Sequence, residues 1–322
     1  MPEGKSEEEI RKFVEGELRK SGFPLETDLS SFLEERAWSV ASSAFYVDHD
    51  SGKEGEIDLV ASKTLTSDAH GKTFDPYELR LTLVIECKTS DEYHWVFFPR
   101  PRRDDRFEFD AGLIYTDFVH FARTRSLLPL MFPSLGILPP TVAGTLIDTY
   151  QMRIAHPRNL RCLMAQTKSR QYDEVPRKNM PRNMKVHEVA TGLLKATWHE
   201  ADLSTRLMTM SFEMLSKRQQ SPSEVKWPIN LFLPIAVFDG GIWTWVKRLE
   251  KTDGVLLQES LSPPNYLPIS ALICVVNKDR FLRLITEIED DLHKIADLVN
   301  ANLESLNKQR ATIAQNILGT LG

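Results

Sequence analysis

Three charged side chains stand inside otherwise apolar segments of the sequence. Asp58 lies in segment 56–61, Glu86 directly follows the apolar residues 83–85, and Lys88 comes two residues after Glu86. If both segments are strands, the alternation of side chains places Glu86 and Lys88 on the same face of the second strand. Because a buried charge without a partner is strongly destabilising, these groups must pair with one another or bind a metal ion.

Two carboxylates on neighbouring strands are suited to a hard divalent cation. Mg²⁺ prefers oxygen ligands, so Asp58 and Glu86 could bind it, with the main-chain carbonyl of Cys87 as a further ligand. Such an ion would activate a water, while Lys88 would orient that water or stabilise negative charge developing at phosphorus. The structural alternative is an ion pair of Lys88 with Glu86 or Asp58 that only ends two strands.

Two helices and three strands are expected to position these residues. Apolar residues at helical spacing predict a helix over residues 6–20, and a second helix capped by Asp28 or Ser30 and ending near residue 36. Strands are expected at residues 38–47, 56–61 and 79–88, with a polar hairpin loop at 48–53 between the first two.

This order of elements, with an Asp in the hairpin and Glu-x-Lys in the next strand, resembles the PD-(D/E)xK phosphodiesterase superfamily. That superfamily includes restriction endonucleases and DNA-repair nucleases, and the chain is most similar to its prokaryotic stand-alone members. The resemblance extends over residues 21–98. It is carried by segments 21–26, 38–40, 46–48, 52–53, 56–58 and 85–90.

The resemblance implies an α/β fold of the restriction endonuclease type, with a central mixed β-sheet flanked by helices. It makes Asp58 and Glu86 ligands of Mg²⁺ or Mn²⁺, Lys88 the catalytic lysine and Glu26 an accessory acid. Glu34 and Glu35, on the same predicted helix, are alternatives to Glu26.

The implied activity is metal-dependent hydrolysis of phosphodiester bonds, with DNA as the expected substrate and RNA as an alternative. The chain departs from the family pattern at Gly55, where a basic residue is common, and this departure could affect substrate contacts. The competing hypothesis is a nucleic-acid-binding or assembly module that has the same fold without catalysis.

The rest of the chain is expected to complete the sheet and add helices. Residues 1–100 would form the first part of the core, 101–225 a mainly helical basic insertion, and 226–322 the rest of the core and a long C-terminal helix. Within these parts the patterns predict a helix at 186–215, a hairpin of strands 229–238 and 242–246 around 239–241, a strand at 269–276 and heptads from 281 to 313. The end of the C-terminal helix could pair with a second copy in a homodimer.

Charge is unevenly distributed along the chain. The formal net charge is −5, yet residues 151–185 contain nine basic and two acidic residues, and a second basic cluster lies at 100–103. Such segments are often solvated loops, but next to a phosphodiesterase site they favour contacts with nucleic-acid phosphates. The candidates are Arg100, Arg102, Arg103, Arg153, Arg158, Arg161, Lys168, Arg170, Arg177, Lys178 and Arg182.

Other features exclude several classes of protein. The longest apolar run, 229–238, is far shorter than the roughly 20 residues that cross a bilayer, so no membrane partner is expected. The acidic N-terminus does not resemble a signal peptide, and three widely spaced cysteines fit a reducing compartment. These observations predict a cytoplasmic protein.

Overall fold

The computed structural model of the protein describes ten stretches of the chain. They are residues 6–48, 51–66, 77–97, 115–116, 153–155, 163–166, 184–217, 227–245, 247–261 and 269–301.

The described strands form one mixed sheet. They are β1 (Ser39–Val47), β2 (Glu54–Leu65), β3 (Tyr77–Phe97), β4 (Tyr115–Thr116), β5 (Arg153–Ala155), β6 (Leu163–Gln166), β7 (Trp227–Trp245), β8 (Leu249–Thr252), β9 (Gly254–Leu261) and β10 (Ile269–Val276). Their main order is β1-β2-β3-β7-β10-β9-β5, with β6 on β3 and with β4 and β8 on β7. Strands β1 to β3 are antiparallel, whereas β7 is parallel to both β3 and β10.

Four described helices accompany the sheet, which confirms the predicted α/β class with a mixed sheet flanked by helices. They are α1 (Glu7–Ser21), α2 (Phe23–Glu35), α3 (Met184–Lys217) and α4 (Lys278–Ala301). None of them is both long and apolar enough to span a membrane. Between residues 101 and 225, the described elements are α3 and the short strands β4, β5 and β6.

The turn between the first two helices differs from the prediction. Helix α1 lies close to the predicted range 6–20: it begins with a capping box between Ser6 and Glu9 and ends at Ser21, with Gly22 as its C-cap. Helix α2, however, begins at Phe23 and not after Asp28 or Ser30. Gly22 has a left-handed φ of 82°, which lets the chain reverse within one residue, and the proline that follows Phe23 fits the first turn of a helix.

The hairpin predicted around residues 239–241 is wrong, because β7 is one continuous strand. Gly240 and Gly241 lack the positive φ of a tight turn. Four residues of β3, 90–93, lie opposite Gly240 alone, so the register shifts at this point. A Cβ on Gly240 would overlap the Phe238 ring, and one on Gly241 would overlap the His94 ring. The glycines therefore allow rings to pack against the backbone at a bulge.

The crossover from β3 to β7 runs through α3, which packs on one face of the sheet. Val189, Ala190 and Leu193 of α3 are buried in a cluster with Val84 of β3 and Ala236 of β7. Burial of this apolar stripe holds the two parallel strands and the helix together. The face of β3 that carries Val84 is the face on which the candidate site lies.

Helix α4 is joined to the N-terminal elements through one carboxylate. Glu289 accepts hydrogen bonds from Trp38 Nε1 at 2.9 Å and from Lys63 Nζ at 2.7 Å, and it pairs with the Arg36 guanidinium. Burial alone would raise the pKa of this carboxyl, but the three donors outweigh it and hold the pKa below its ordinary value of 4.5. The predicted helix beyond residue 301 lies outside the described residues.

Removing this carboxylate should destabilise the fold in a pH-dependent way. We expect Glu289→Ala to lower the free energy of unfolding by about 2 kcal/mol at pH 7, because it leaves partly buried cations without their acceptor. Since the folded pKa is depressed, this stability is present above pH 4.5 and is lost as the pH falls through the folded pKa. Urea unfolding at several pH values measures the difference. Asp290→Ala, on the next and exposed residue, is the control, and an equal loss in both variants would contradict this account.

The close approach at the β7 bulge gives a second prediction. We expect Gly241→Ala to destabilise the protein by about 1–3 kcal/mol, since the added methyl group overlaps the His94 and Trp243 rings. Gly16→Ala is the control: it lies in α1 with open space around it and should be neutral or slightly stabilising. Thermal unfolding that ranks the two variants in the opposite order would contradict the packing described for β7.

Candidate active site

The candidate site lies where β2 and β3 stop pairing. Their antiparallel ladder extends from Leu65–Leu79 to Leu59–Ile85, and Asp58 is the next residue of β2. Its Oδ2 accepts a hydrogen bond of 2.6 Å from the main-chain N–H of Cys87. The carboxylate thus satisfies a donor at the end of the ladder, which fixes the Asp58 side chain beside β3.

The lysine lies between the two carboxylates predicted to act with it. Lys88 Nζ pairs with the Glu86 carboxylate and is 3.6 Å from Asp58 Oδ2. The Asp58 and Glu86 side chains are 19% and 16% exposed, whereas Lys88 is 40% exposed. The structure therefore brings Asp58, Glu86 and Lys88 together at a partly buried position that solvent and a ligand can reach.

Of the three candidate accessory acids, Glu26 is the one beside the site. It lies in the first turn of α2, and its Oε1 lies over Gly22. Burial raises the pKa of Glu26, and the charge of Asp58 raises it further. Glu34 and Glu35 are exposed near the C-terminal end of the same helix.

Negative charge exceeds positive charge at this position. Burial and the neighbouring Asp58 raise the pKa of Glu86, although Lys88 opposes both effects. Burial disfavours the charged form of Lys88, but Glu86 and Asp58 outweigh it and raise the pKa of the ammonium group. Lys88 therefore stays protonated at neutral pH, and one ammonium faces three carboxyl groups.

The thiol of Cys87 is not suited to bind a metal ion. Burial raises the pKa of this thiol, and the carboxylates of Asp58 and Glu26 raise it further, so it stays protonated. The predicted ligand is its main-chain carbonyl, and that role stays a prediction.

The chemistry of these groups fits a hard divalent cation. Among the residues that the structure describes, no three His, Cys, Asp or Glu side chains are placed to hold a metal ion together. Mg²⁺ needs fewer protein ligands, since it keeps several waters, and excess carboxylate charge is what a cation neutralises. Asp58 and Glu86 would hold the ion. Lys88 would then have to break its ion pair with at least one of these two carboxylates.

Comparison with protein-family models, with curated proteins and with solved structures gives no match. The functional proposal therefore depends on the chemistry and geometry of the site.

The predicted nucleic-acid-binding residues lie almost entirely outside the described residues. This applies to Arg100, Arg102, Arg103, Arg158, Arg161, Lys168, Arg170, Arg177, Lys178 and Arg182. The exception is Arg153, whose main chain belongs to β5 and pairs with Val255 of β9. Their contacts with nucleic acid stay predictions.

One neighbour of the site was not singled out from the sequence. The aromatic ring of Tyr46 in β1 lies over Gly55 of β2. A Cβ at residue 55 would overlap this ring, so the structure gives the glycine a packing role. The pairing of residues 46 and 55 across the predicted hairpin was the signal available in the sequence.

The excess of carboxylate charge leads to a prediction about metal binding. Mn²⁺ or Mg²⁺ should stabilise the protein by about 2.7 kcal/mol at a hundredfold excess over Kd, which differential scanning fluorimetry detects as a rise in Tm. Asp58→Asn should abolish the rise, because the substitution removes one of two ligand charges. Glu54→Gln, exposed at the start of β2, should keep it. An equal rise in the Asp58→Asn variant would contradict this metal site.

Proposed function

We propose that the protein is a metal-dependent nuclease that hydrolyses phosphodiester bonds, with DNA as its substrate. The observation that carries the proposal is the convergence of Asp58, Glu86 and Lys88 at the end of the β2–β3 ladder. Two carboxylates beside a protonated lysine match the requirements of metal-assisted phosphodiester hydrolysis.

The order of the elements around the site supports the proposal. Helix α2 carries Glu26, the hairpin of β1 and β2 carries Asp58, and β3 carries Glu86 and Lys88. The PD-(D/E)xK nucleases, which the sequence resembles, have the corresponding elements in the same order. We propose on this basis that the α/β sheet has the restriction endonuclease-like fold.

Each residue of the site has a distinct role in this proposal. Asp58 and Glu86 would hold Mg²⁺, which when bound polarises the phosphate and lowers the pKa of a bound water. Lys88 is protonated, so it acts as an electrostatic group that stabilises negative charge on the phosphate oxygens and not as a general base. Glu26 would accept a hydrogen bond from a water at the edge of the site.

A second candidate function is a nucleic-acid-binding or assembly module on the same fold. It is favoured by the contacts of Lys88 with both Glu86 and Asp58, since such a cluster can be purely structural. A structural cluster needs no cation, whereas the nuclease needs one. The cytoplasmic location and a homodimer formed through the end of the C-terminal helix also stay proposals.

The nuclease proposal is tested by incubating the protein with supercoiled plasmid, single-stranded DNA and RNA in the presence of Mg²⁺, which the proposed mechanism requires. Glu86→Gln and Lys88→Met should each lower the cleavage rate by about two to three orders of magnitude, because each removes a group that acts on the transition state. Gel analysis of initial rates provides the measurement. Full activity of the Glu86→Gln, Lys88→Met double variant would refute the assignment, and wild-type binding without cleavage would favour the module.

Two matched variants on α2 test which glutamate is the accessory acid. Glu26→Gln should lower the cleavage rate by about tenfold or more, since Glu26 lies near Asp58. Glu34→Gln, exposed on the same helix, should leave the rate unchanged. The opposite result in the same assay would move the accessory role away from Glu26.

A further inference from the structure

A second polar cluster lies at the turn that connects β1 and β2. Asp48 follows β1, and its Oδ2 is 2.7 Å from Nζ of Lys195 on α3. The same oxygen accepts a hydrogen bond of 2.7 Å from the Ser51 hydroxyl, within the turn between the strands. This cluster holds the turn of the hairpin against α3.

Tyr46 extends from this hairpin towards the candidate site. The strand order is β1-β2-β3, and Tyr46 on β1 pairs directly with Gly55 on β2. Its ring lies over Gly55, and its hydroxyl is 3.7 Å from the position that a Cβ on Gly192 would occupy. The hydroxyl thus lies on the side of the sheet that faces α3, and Glu86 on β3 is near enough for its charge to act on the phenol.

The hydroxyl and the candidate catalytic groups lie on the same face of the sheet. Tyr46 packs against the apolar cluster that contains Val84, and Glu86 follows Val84 by two residues on β3. Alternation gives Val84 and Glu86 the same side of the strand. Burial raises the pKa of the Tyr46 phenol, and the charges of Asp48 and Glu86 contribute, whereas Lys195 opposes them.

The phenol is therefore a neutral hydrogen-bond donor at a site dominated by carboxylates. No hydrogen bond joins its hydroxyl to another residue in the described part of the chain. A phosphodiester bound through a cation at Asp58 and Glu86 has negatively charged non-bridging oxygens, and an uncharged donor can form a hydrogen bond to one of them. Lys195 is already neutralised by Asp48 and adds little net charge.

We propose that Tyr46 binds the substrate by donating a hydrogen bond from its hydroxyl to a non-bridging oxygen of the phosphodiester held at Asp58 and Glu86. This inference depends on the proposed nuclease function and adds a specific substrate contact to it. Gly55 has a role in this contact, because any side chain at that position would displace the Tyr46 ring.

The experiment compares Tyr46→Phe with the wild type, since this change keeps the ring over Gly55 and removes only the hydroxyl. Two measurements are made: cleavage of a short DNA duplex with Mg²⁺, and binding of the same duplex with Ca²⁺ by fluorescence anisotropy. We expect KM and Kd to rise by about tenfold with kcat changed by less than about threefold, since the bond forms in both ground and transition states. Phe45→Ala, on a side chain that is 68% exposed, should change neither value.

The outcomes separate this inference from the proposed function. A wild-type protein that does not cleave nucleic acid refutes the nuclease proposal, and the Ca²⁺ binding measurement still tests Tyr46. Equal Kd and KM values for Tyr46→Phe and the wild type overturn the proposed contact. Gly55→Ala provides a second variant, which should weaken binding as Tyr46→Phe does, and tighter or unchanged binding would also overturn it.

Discussion

Three carboxyl groups around a single ammonium group determine the character of this site. Asp58, Glu86 and Glu26 come from β2, β3 and α2, and Lys88 is the cation that pairs with two of them. Their partial burial makes repulsion between like charges stronger than it would be in water. The folded chain therefore maintains a region of excess negative charge, and a divalent cation would relieve the resulting repulsion.

The rest of the fold makes this arrangement possible. The β2–β3 ladder ends at Leu59–Ile85, which leaves the Cys87 N–H to bond with Asp58 and not with a main-chain carbonyl. Gly22 begins α2 at the position that brings Glu26 beside the strands. Farther away, Glu289 joins α4 to Trp38, which precedes β1, and to Lys63 of β2. Hydrogen bonds and apolar packing elsewhere in the fold thus offset the repulsion between the carboxylates of the site.

Local patterns predicted much of the fold, and long-range packing explains where they failed. Alternation in residues 83–88 was enough to place Glu86 and Lys88 on one face, since that property depends only on neighbouring residues. The sequence Asp239-Gly240-Gly241 has the composition of a tight turn, but the Phe238 and His94 rings use the glycines to approach a continuous strand. The choice of Glu26 and the position of Tyr46 over Gly55 also depend on contacts between separate elements, and so required the structure.

The proposed function requires that Asp58 and Glu86 together hold a divalent cation. A crystal of the protein grown with Mn²⁺ tests this requirement by anomalous diffraction at the manganese absorption edge. We expect an anomalous peak within about 2.0–2.3 Å of both carboxylates, a distance typical of small divalent cations with oxygen ligands, with the Lys88 ammonium moved away from at least one of them. A map without this peak, in which Lys88 still bridges Glu86 and Asp58, would refute the metal site.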